Sequence, residues 1–436
     1  MKQETLEKFA GETGNNFKQT EIGLIPEDWE VVRLREVSKY MKAGGTPRRS
    51  IKEYWNGDIP FVKIEDITSS GKYLLETKEK ISKKGLDNSS AWLVPPNSIL
   101  LSMYASIGEV TITKFPVATN QAILAIIPNE KTTVDFLYYC LKLHGKRLYS
   151  YIVQTTQKNV NKAITENLPI PLPPLSEQHK IARVLDKIQQ AIELQDKIIE
   201  QAKRLKKSLM QKLFTEGLYG EEQKETEIGL IPKSWEVARL GDIFNVQQGK
   251  QLSRKRKIKK GEIECKFLRT SNVFWEGIKL QNLDTMFISK KELDRLKVRK
   301  GDIFVCEGGD VGRTAILEED IDFDLIFQNH LHRLRPKSED IYPKFFVYWM
   351  EKHIKLDRIH VPANVTTIPN LSASRLKSFF LPLPSFEEQK QIAHILSTVD
   401  KKIEVEQKRK QVLKELFKTM LHKLMSGEIR LKEVEI

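Results

Sequence analysis

One stretch of fifteen residues occurs twice in this chain. Thr20-Glu21-Ile22-Gly23-Leu24-Ile25-Pro26-Glu27-Asp28-Trp29-Glu30-Val31-Val32-Arg33-Leu34 returns, at an offset of 206, as the segment from Thr226 to Leu240, and twelve of the fifteen positions are identical. Further matches keep nearly the same offset: Phe61-Val62-Lys63-Ile64 with Phe267-Leu268-Arg269-Thr270, Asn97-Ser98-Ile99-Leu100 with Gly301-Asp302-Ile303-Phe304, and Gly108 with Gly312. Pro171-Leu172-Pro173-Pro174-Leu175-Ser176-Glu177-Gln178 recurs as Pro382-Leu383-Pro384-Ser385-Phe386-Glu387-Glu388-Gln389. A period near 210 residues is far too long for a solenoid, so the chain holds two tandem copies of one module. The module interiors have drifted, as in Ala43-Gly44-Gly45-Thr46-Pro47-Arg48-Arg49 against Gln248-Gly249-Lys250-Gln251-Leu252-Ser253-Arg254. One frame carries two different readers. The segments are an N-terminal extension (1–19) with no repeat partner, a first module (20–170), a first long helix (171–217), a second module (218–381) and a second long helix (382–436).

Each module ends in a heptad-like seam. Stepping alternately by four and three from Ile181 gives Leu185, Ile188, Ile192, Gln195, Ile199, Ala202, Lys206, Leu209 and Leu213. The second copy gives Ile392, Leu396, Val399, Ile403, Glu406, Lys410, Leu413, Phe417, Met420 and Leu424. Both are apolar at the ends and more polar in the middle, with the spacing of a coiled coil. Ser385 with Glu388 reads as a capping box, and Gly217 and Gly427 suit the left-handed position past a helix end. Some forty residues make a rod of roughly 60 Å, longer than a module of about 150 residues is wide. The second helix is therefore expected to run back along the first as an antiparallel pair with a pseudo-two-fold axis. Runs at Ile59 to Ile64, Ser98 to Met103, Ala122 to Ile127, Ile303 to Cys306 and Thr314 to Leu317 predict strands, as does Asp242 to Gln247. Val134 to Leu143 and Tyr342 to Ile354 predict helices. The fold class is thus two tandem α/β (α+β) modules separated by a long antiparallel two-helix coiled coil.

Charge narrows the partner. Lys and Arg number 72 against 58 Asp and Glu, a net +14 that suits a polyanion. No apolar run approaches the roughly 18 to 20 residues that span a bilayer, and Met1-Lys2-Gln3-Glu4-Thr5 opens no secretory h-region, so a cytoplasmic location without membrane contact is expected. Cys140, Cys265 and Cys306 are too far apart for a CxxC pair. Catalytic motifs are missing. The strings Val94-Pro95-Pro96-Asn97 and Leu172-Pro173-Pro174-Leu175 lack both flanks of an amino-methyltransferase turn, and Gly308-Gly309-Asp310-Val311-Gly312 has neither P-loop nor dinucleotide spacing. Glu264-Cys265-Lys266, with Asp242 upstream, has the ExK form of metal-dependent nucleases and keeps a DNA-cutting reading open. His330 and His332 alternate as on a strand face, without a third ligand at zinc spacing.

Binding chemistry remains. Arg254, Lys255, Arg256, Lys257, Lys259 and Lys260 form a dense basic run beyond Lys250. The first module places Lys42, Arg48 and Arg49 in the corresponding loop, where Gly44 and Gly45, with Thr46, permit close backbone approach to a phosphate. Side chains able to read base edges cluster at Gln154, Thr156, Lys158 and Asn159, and at Asn364, Thr366 and Thr367. Tyr54-Trp55 and Phe274-Trp275 read either as core or as base-stacking platforms.

Two tandem variable modules, each opened by GLIPxxWExxxL and left through a PLPxxxEQxxIAxxL helix, resemble the DNA specificity subunit of type I restriction-modification systems. Gly44-Gly45-Thr46-Pro47 matches that family's GGTP loop, from which Gly249-Lys250-Gln251-Leu252 departs. The resemblance implies target-recognition domains that each read one half of a split, asymmetric site in double-stranded DNA. It further implies methyltransferase subunits, two per chain, gripping the repeated helices, and a restriction (translocase) subunit joining the complex. S-adenosylmethionine, ATP and Mg are then expected in those partners, with no cofactor, metal or catalytic residue in this chain. The open alternatives are a self-contained endonuclease using Glu264 and Lys266, or a coiled-coil scaffold that reads no sequence.

Overall fold

The computed structural model describes residues 16–149, 160–252, 260–356 and 370–431. The chain divides into two compact units, one of Met1–Leu194 with Arg409–Ile436, the other of Gln195–Lys408. The cut falls inside the long helices, so each unit is a module together with part of each helix.

The first unit opens with a hairpin of Phe17–Thr20 and Gly23–Pro26. Its main sheet orders Ser38–Ala43, Ile123–Pro128, Ser98–Ser102, Val110–Thr113 and Tyr73–Leu74 side by side. All its pairings are antiparallel except the last. The middle strand Ser98–Ser102 is buried along its whole length, as expected of a run sheltered on both faces. A smaller sheet sets Trp55–Val62 between Ala118–Thr119, which is parallel to it, and Glu79–Ile81. The helix Val134–His144 covers the main sheet with Phe136, Tyr139 and Cys140 in one core beside Ile181 and Leu185. The second unit repeats this plan. Its sheets are Phe244–Gln248, Leu331–Pro336, Ile303–Cys306 and Thr314–Ile316, and Asp284–Ile288, Ile263–Leu268 and Leu325–Phe327, covered by the helix Pro343–Lys355.

Two expected strands are cut short by two residues at one end. The remaining ends fall within one residue of expectation, except that the first of these two strands begins earlier, at Trp55. The run from Ile59 ends as a strand at Val62, because Asp66 accepts the Lys63 amide at 2.8 Å and turns Ile64–Ser69 into a helix. Asp242 belongs to a helical turn, Leu240–Ile243, and the strand starts only at Phe244.

The two best-preserved segments of the repeat meet each other. In the first unit Glu30–Arg33 pairs with Pro169–Leu172, and in the second Glu236–Arg239 pairs with Phe380–Leu383 in the same register. The prolines of these lead-ins sit in two-stranded pairings, which tolerate a missing donor, and the helices proper are Leu175–Glu216 and Phe386–Met425. Trp29, fully buried, donates its indole N–H to Glu177 at 3.1 Å, and Trp235 does the same to Glu388 at 3.0 Å. This corrects the expected capping box. Ser385 does accept the Glu388 amide at 3.3 Å, but the Glu388 carboxylate turns to Trp235 and to the Leu218 amide. The next residue ties down the covering helix: Gln178 accepts from Thr132 and Thr133 and donates to the Lys131 and Pro173 carbonyls, and Gln389 joins Tyr342, Asp340 and Pro384 in the same manner.

Each tryptophan is sealed by the end of the other copy's helix. Gly217, at φ +69°, lies against Pro232 and Trp235, and Gly427, at φ +72°, against Pro26 and Trp29. A side chain there would have to enter the left-handed region and displace the proline ring. In the first unit Arg430 adds a double fork, bonding Glu177 at 2.8 Å and Asp28 at 2.9 Å. Every seam position named above is buried or half-buried. Within the second unit the helices run antiparallel: Gln195 bonds Glu406 at 2.5 Å, Lys206 pairs with Asp400 at 2.8 Å, and Glu388 reaches Leu218.

Candidate nucleic-acid interface

The drifted loops have one backbone. In the first unit the Gly44 amide donates to Ile123 and the Gly45 amide to Thr119; in the second, Gly249 donates to Leu331 and Lys250 to Phe327. Gly249 therefore stands where Gly44 does, and Lys250 where Gly45 does. The departure from the paired glycines changes a side chain and leaves the frame intact. The place a Cβ would take at each glycine is filled by the protein itself. A Cβ on Gly44 would fall 2.0 Å from the Thr119 carbonyl oxygen, one on Gly45 2.1 Å from Ser90 Oγ, and one on Gly249 2.3 Å from the carbonyls of Phe327 and Gln328.

Polar side chains gather around this crossing. Thr46 donates to Gln121 Oε1 at 2.6 Å. Arg49 lies 3.8 Å over the Trp55 ring and pairs with Glu79 at 2.8 Å, while exposed Arg48 accepts the Trp55 indole N–H on its carbonyl. Trp55 is half-buried, edge-on to Phe61 beneath Arg49, so it is neither pure core nor an open platform. Phe274 is likewise half-buried, facing Lys279 and Arg313, and Trp275 faces Lys355. Lys42 sits on the preceding strand 5.7 Å from the Trp92 ring. Lys250 is held by Glu292 at 2.5 Å, and that bond, with the Ser289 amide, keeps the Glu292 carboxyl well down at about 2. Beside it Gln248 donates to buried Glu307 at 3.0 Å.

Sequence reasoning passed over two amide pairs. Asn120-Gln121 and Gln328-Asn329 occupy equivalent turns, with the Asn120 amide on the Val62 carbonyl and the Gln328 amide on that of Leu268. The signal was present as Thr119-Asn120-Gln121-Ala122 against Phe327-Gln328-Asn329-His330, but the order of the amides is swapped, which hides it from an identity search. Gln154, Thr156, Lys158 and Asn159, the basic residues Arg254, Lys255, Arg256, Lys257 and Lys259, and Asn364, Thr366 and Thr367 lie outside the described residues.

The nuclease-like triplet does not assemble. Glu264 accepts from Thr285 at 2.6 Å, Lys266 lies over Phe323, and Cys265 between them is buried. Among the described residues no three His, Cys, Asp or Glu come together as a metal site. His332 is fully buried on the Leu371 carbonyl whereas His330 is exposed, so the two histidines share no ligand. All three cysteines are buried thiols, and burial pushes Cys265 and Cys306 up to about 11. No described helix is long and apolar enough to cross a membrane.

A duplicated α+β frame, with equivalent loops carrying unlike side chains and long helices leading between copies, defines a two-address recognition protein. Residues 26–204 and 232–415 match the model of the type I restriction modification DNA specificity domain, and the chain belongs to that family. It is 30% identical over 431 residues to the type I restriction enzyme MjaVIII specificity subunit of Methanocaldococcus jannaschii, covering 96% of this chain and 97% of that one. The MjaIX specificity subunit of the same organism is 29% identical, with 98% and 99% covered. Among solved structures, the S subunit of a type I restriction-modification system from M. genitalium has the same fold, at a TM-score of 0.55 and 19% identity over 95% of this chain and 98% of that one. The chain is a DNA specificity subunit, the non-catalytic member of its class of enzyme.

Proposed function

We propose that each unit reads one half of a split, asymmetric site in double-stranded DNA, across a gap that neither unit reads. The observation that carries this is the shared loop frame with different contents: Gly45 and a Thr46–Gln121 bond in one unit, Lys250 and a Lys250–Glu292 pair in the other. Equal frames present their loops alike, and unlike side chains meet unlike base edges. Lys42, Arg48 and Arg49, and the run from Arg254 to Lys259, supply phosphate contacts that position the duplex. Two methyltransferase subunits hold the repeated helices and methylate one adenine in each half-site, on opposite strands, after flipping it out of the stack. A restriction subunit that translocates completes the complex. S-adenosylmethionine, ATP and Mg serve in those partners. The setting is the cytoplasm, where host DNA is the substrate.

Selection of bound sites from a randomised DNA library by the assembled complex tests this reading. Replacing Gln121 by Ala should relax one half-site and leave the other intact, and replacing Gln328 and Asn329 together should do the converse. A complex that selects no sequence would make the chain a scaffold, and cleavage by the chain alone that Glu264→Ala abolishes would make it a nuclease.

A further inference from the structure

The opening hairpins point to a second use of the repeat. From Glu21 to Glu30 and from Glu227 to Glu236, the pattern of burial is the same at every position. Ile25, Pro26 and Trp29 are buried and recur as Ile231, Pro232 and Trp235, which the joint with the long helix explains. Exposed positions have no such reason to agree, and in the loop after the hairpin they do not: Glu27 and Asp28 have become Lys233 and Ser234. At the hairpin tip they do agree. Glu21-Ile22-Gly23-Leu24 and Glu227-Ile228-Gly229-Leu230 are identical, with Leu24 58% and Leu230 48% exposed. The turn beneath is the same in both, Thr20 Oγ1 donating to the Gly23 carbonyl at 2.7 Å and Thr226 Oγ1 to that of Gly229 at 2.8 Å.

An exposed leucine kept in place by both copies needs an occupant that meets both copies alike. The bases of an asymmetric site differ between half-sites, and an exposed leucine offers a phosphate no donor. The one acidic side chain at the first tip, Glu21, is already paired with Arg33 at 2.9 Å. A protein present twice satisfies the condition. We propose that the two hairpin tips are equivalent docking points for two copies of one partner protein, each offering an apolar socket for the leucine side chain, and that this partner is the methyltransferase subunit. The proposal rests on the reading that such subunits bind this chain.

Native mass spectrometry of the chain co-expressed with its methyltransferase partner tests it. The unaltered chain should carry two partner copies. Leu24→Asp and Leu230→Asp should each lower that to one, with the partner's affinity for the altered unit falling roughly tenfold or more, as for loss of an interface anchor. The doubly altered chain should carry none where the unaltered chain is saturated. Glu27→Lys, at an exposed position where the copies differ, should keep both. Unchanged melting of the isolated variants guards against misfolding, since both leucines are exposed. Two partners on the double variant at unchanged affinity would overturn the docking proposal and leave the partner reading standing. An unaltered chain that takes up no partner would defeat both. Lost DNA affinity at an unchanged partner number would give the tips to nucleic acid and overturn the proposal.

Discussion

His144 shows what burial does to a single side chain. It closes the helix Val134–His144 at 6% exposure, and neither ring nitrogen has a hydrogen-bond partner. Burial, reinforced by the positive charges of Arg147 and His422, pushes its pKa down to about 3 from 6.5. The unfolded chain takes up this proton below about pH 6.5, and the folded unit refuses it until about pH 3. The contribution to stability is therefore complete above pH 6.5 and declines as the pH falls toward 3. Between pH 7 and pH 5 the first unit should lose about 2 kcal/mol on this account, and His144→Phe should remove that loss. Denaturant unfolding at the two pH values measures it; an equal loss in the variant would assign the effect to other groups. Single residues were also where sequence reading was weakest. Gly44 and Gly45 were visible as glycines, but only the fold reveals that Thr119 and Ser90 fill the space beside them. The importance of Trp29 was legible from its recurrence, whereas its bond to Glu177 joins residues 148 positions apart, and no local pattern encodes that.

At the scale of elements, the burial of the seam positions was legible because burial along a helix follows a fixed period. The apolar ends of the seam, however, pack into the module cores, Ile181 and Leu185 beside Phe136, and Ile392 and Leu396 beside Phe345. Its polar middle is a built feature. Gln195 and Glu406 are both buried, at 8% and 1% exposure, and Lys402 adds an ion pair to the carboxylate. Gln195→Leu should destabilise the second unit by about 1 to 3 kcal/mol, because a buried carboxylate loses a donor. Replacing both Gln195 and Glu406 by Leu should recover most of that loss, since an apolar pair of similar volume needs no partners. What the double variant should lose is the unique pairing, because the polar layer fixes which residues face each other. A double-mutant cycle by thermal melting tests the energetics, and additive losses would refute it. Strand positions were legible where a short apolar run stood between turn signals, as at Ser98–Ser102, which follows Pro95-Pro96-Asn97. The two ends cut short, at Ile64 and Asp242, lie where a side chain or a turn residue starts a helix against the local propensity.

For the whole molecule, the helices become a ruler if they set the gap between half-sites. The pairs Gln195–Glu406 and Lys206–Asp400 place Ala202 across from the turn that holds Lys402 and Ile403. A heptad inserted at Ala202 and another between Lys402 and Ile403 keep both pairs and add about 10 Å, or roughly three base pairs at about 3.4 Å each. The preferred unread gap should lengthen by about that amount, with both half-sites unchanged. The added base pairs also turn the far half-site by roughly a third of a turn, so affinity should fall as well. Library selection with randomised gaps decides it, and an unaltered gap would leave the helices as supports only. The division of the chain bears on its synthesis too. The second unit is one unbroken segment, Gln195–Lys408, whereas the first needs Phe417, Leu421, Leu424 and Arg430 to close over Trp29. On the ribosome the order of completion is thus the reverse of the order of translation. The first module to emerge waits, its tryptophan uncovered, while the second is made and finished, so a nascent chain can hold a complete downstream reader before the upstream one can form.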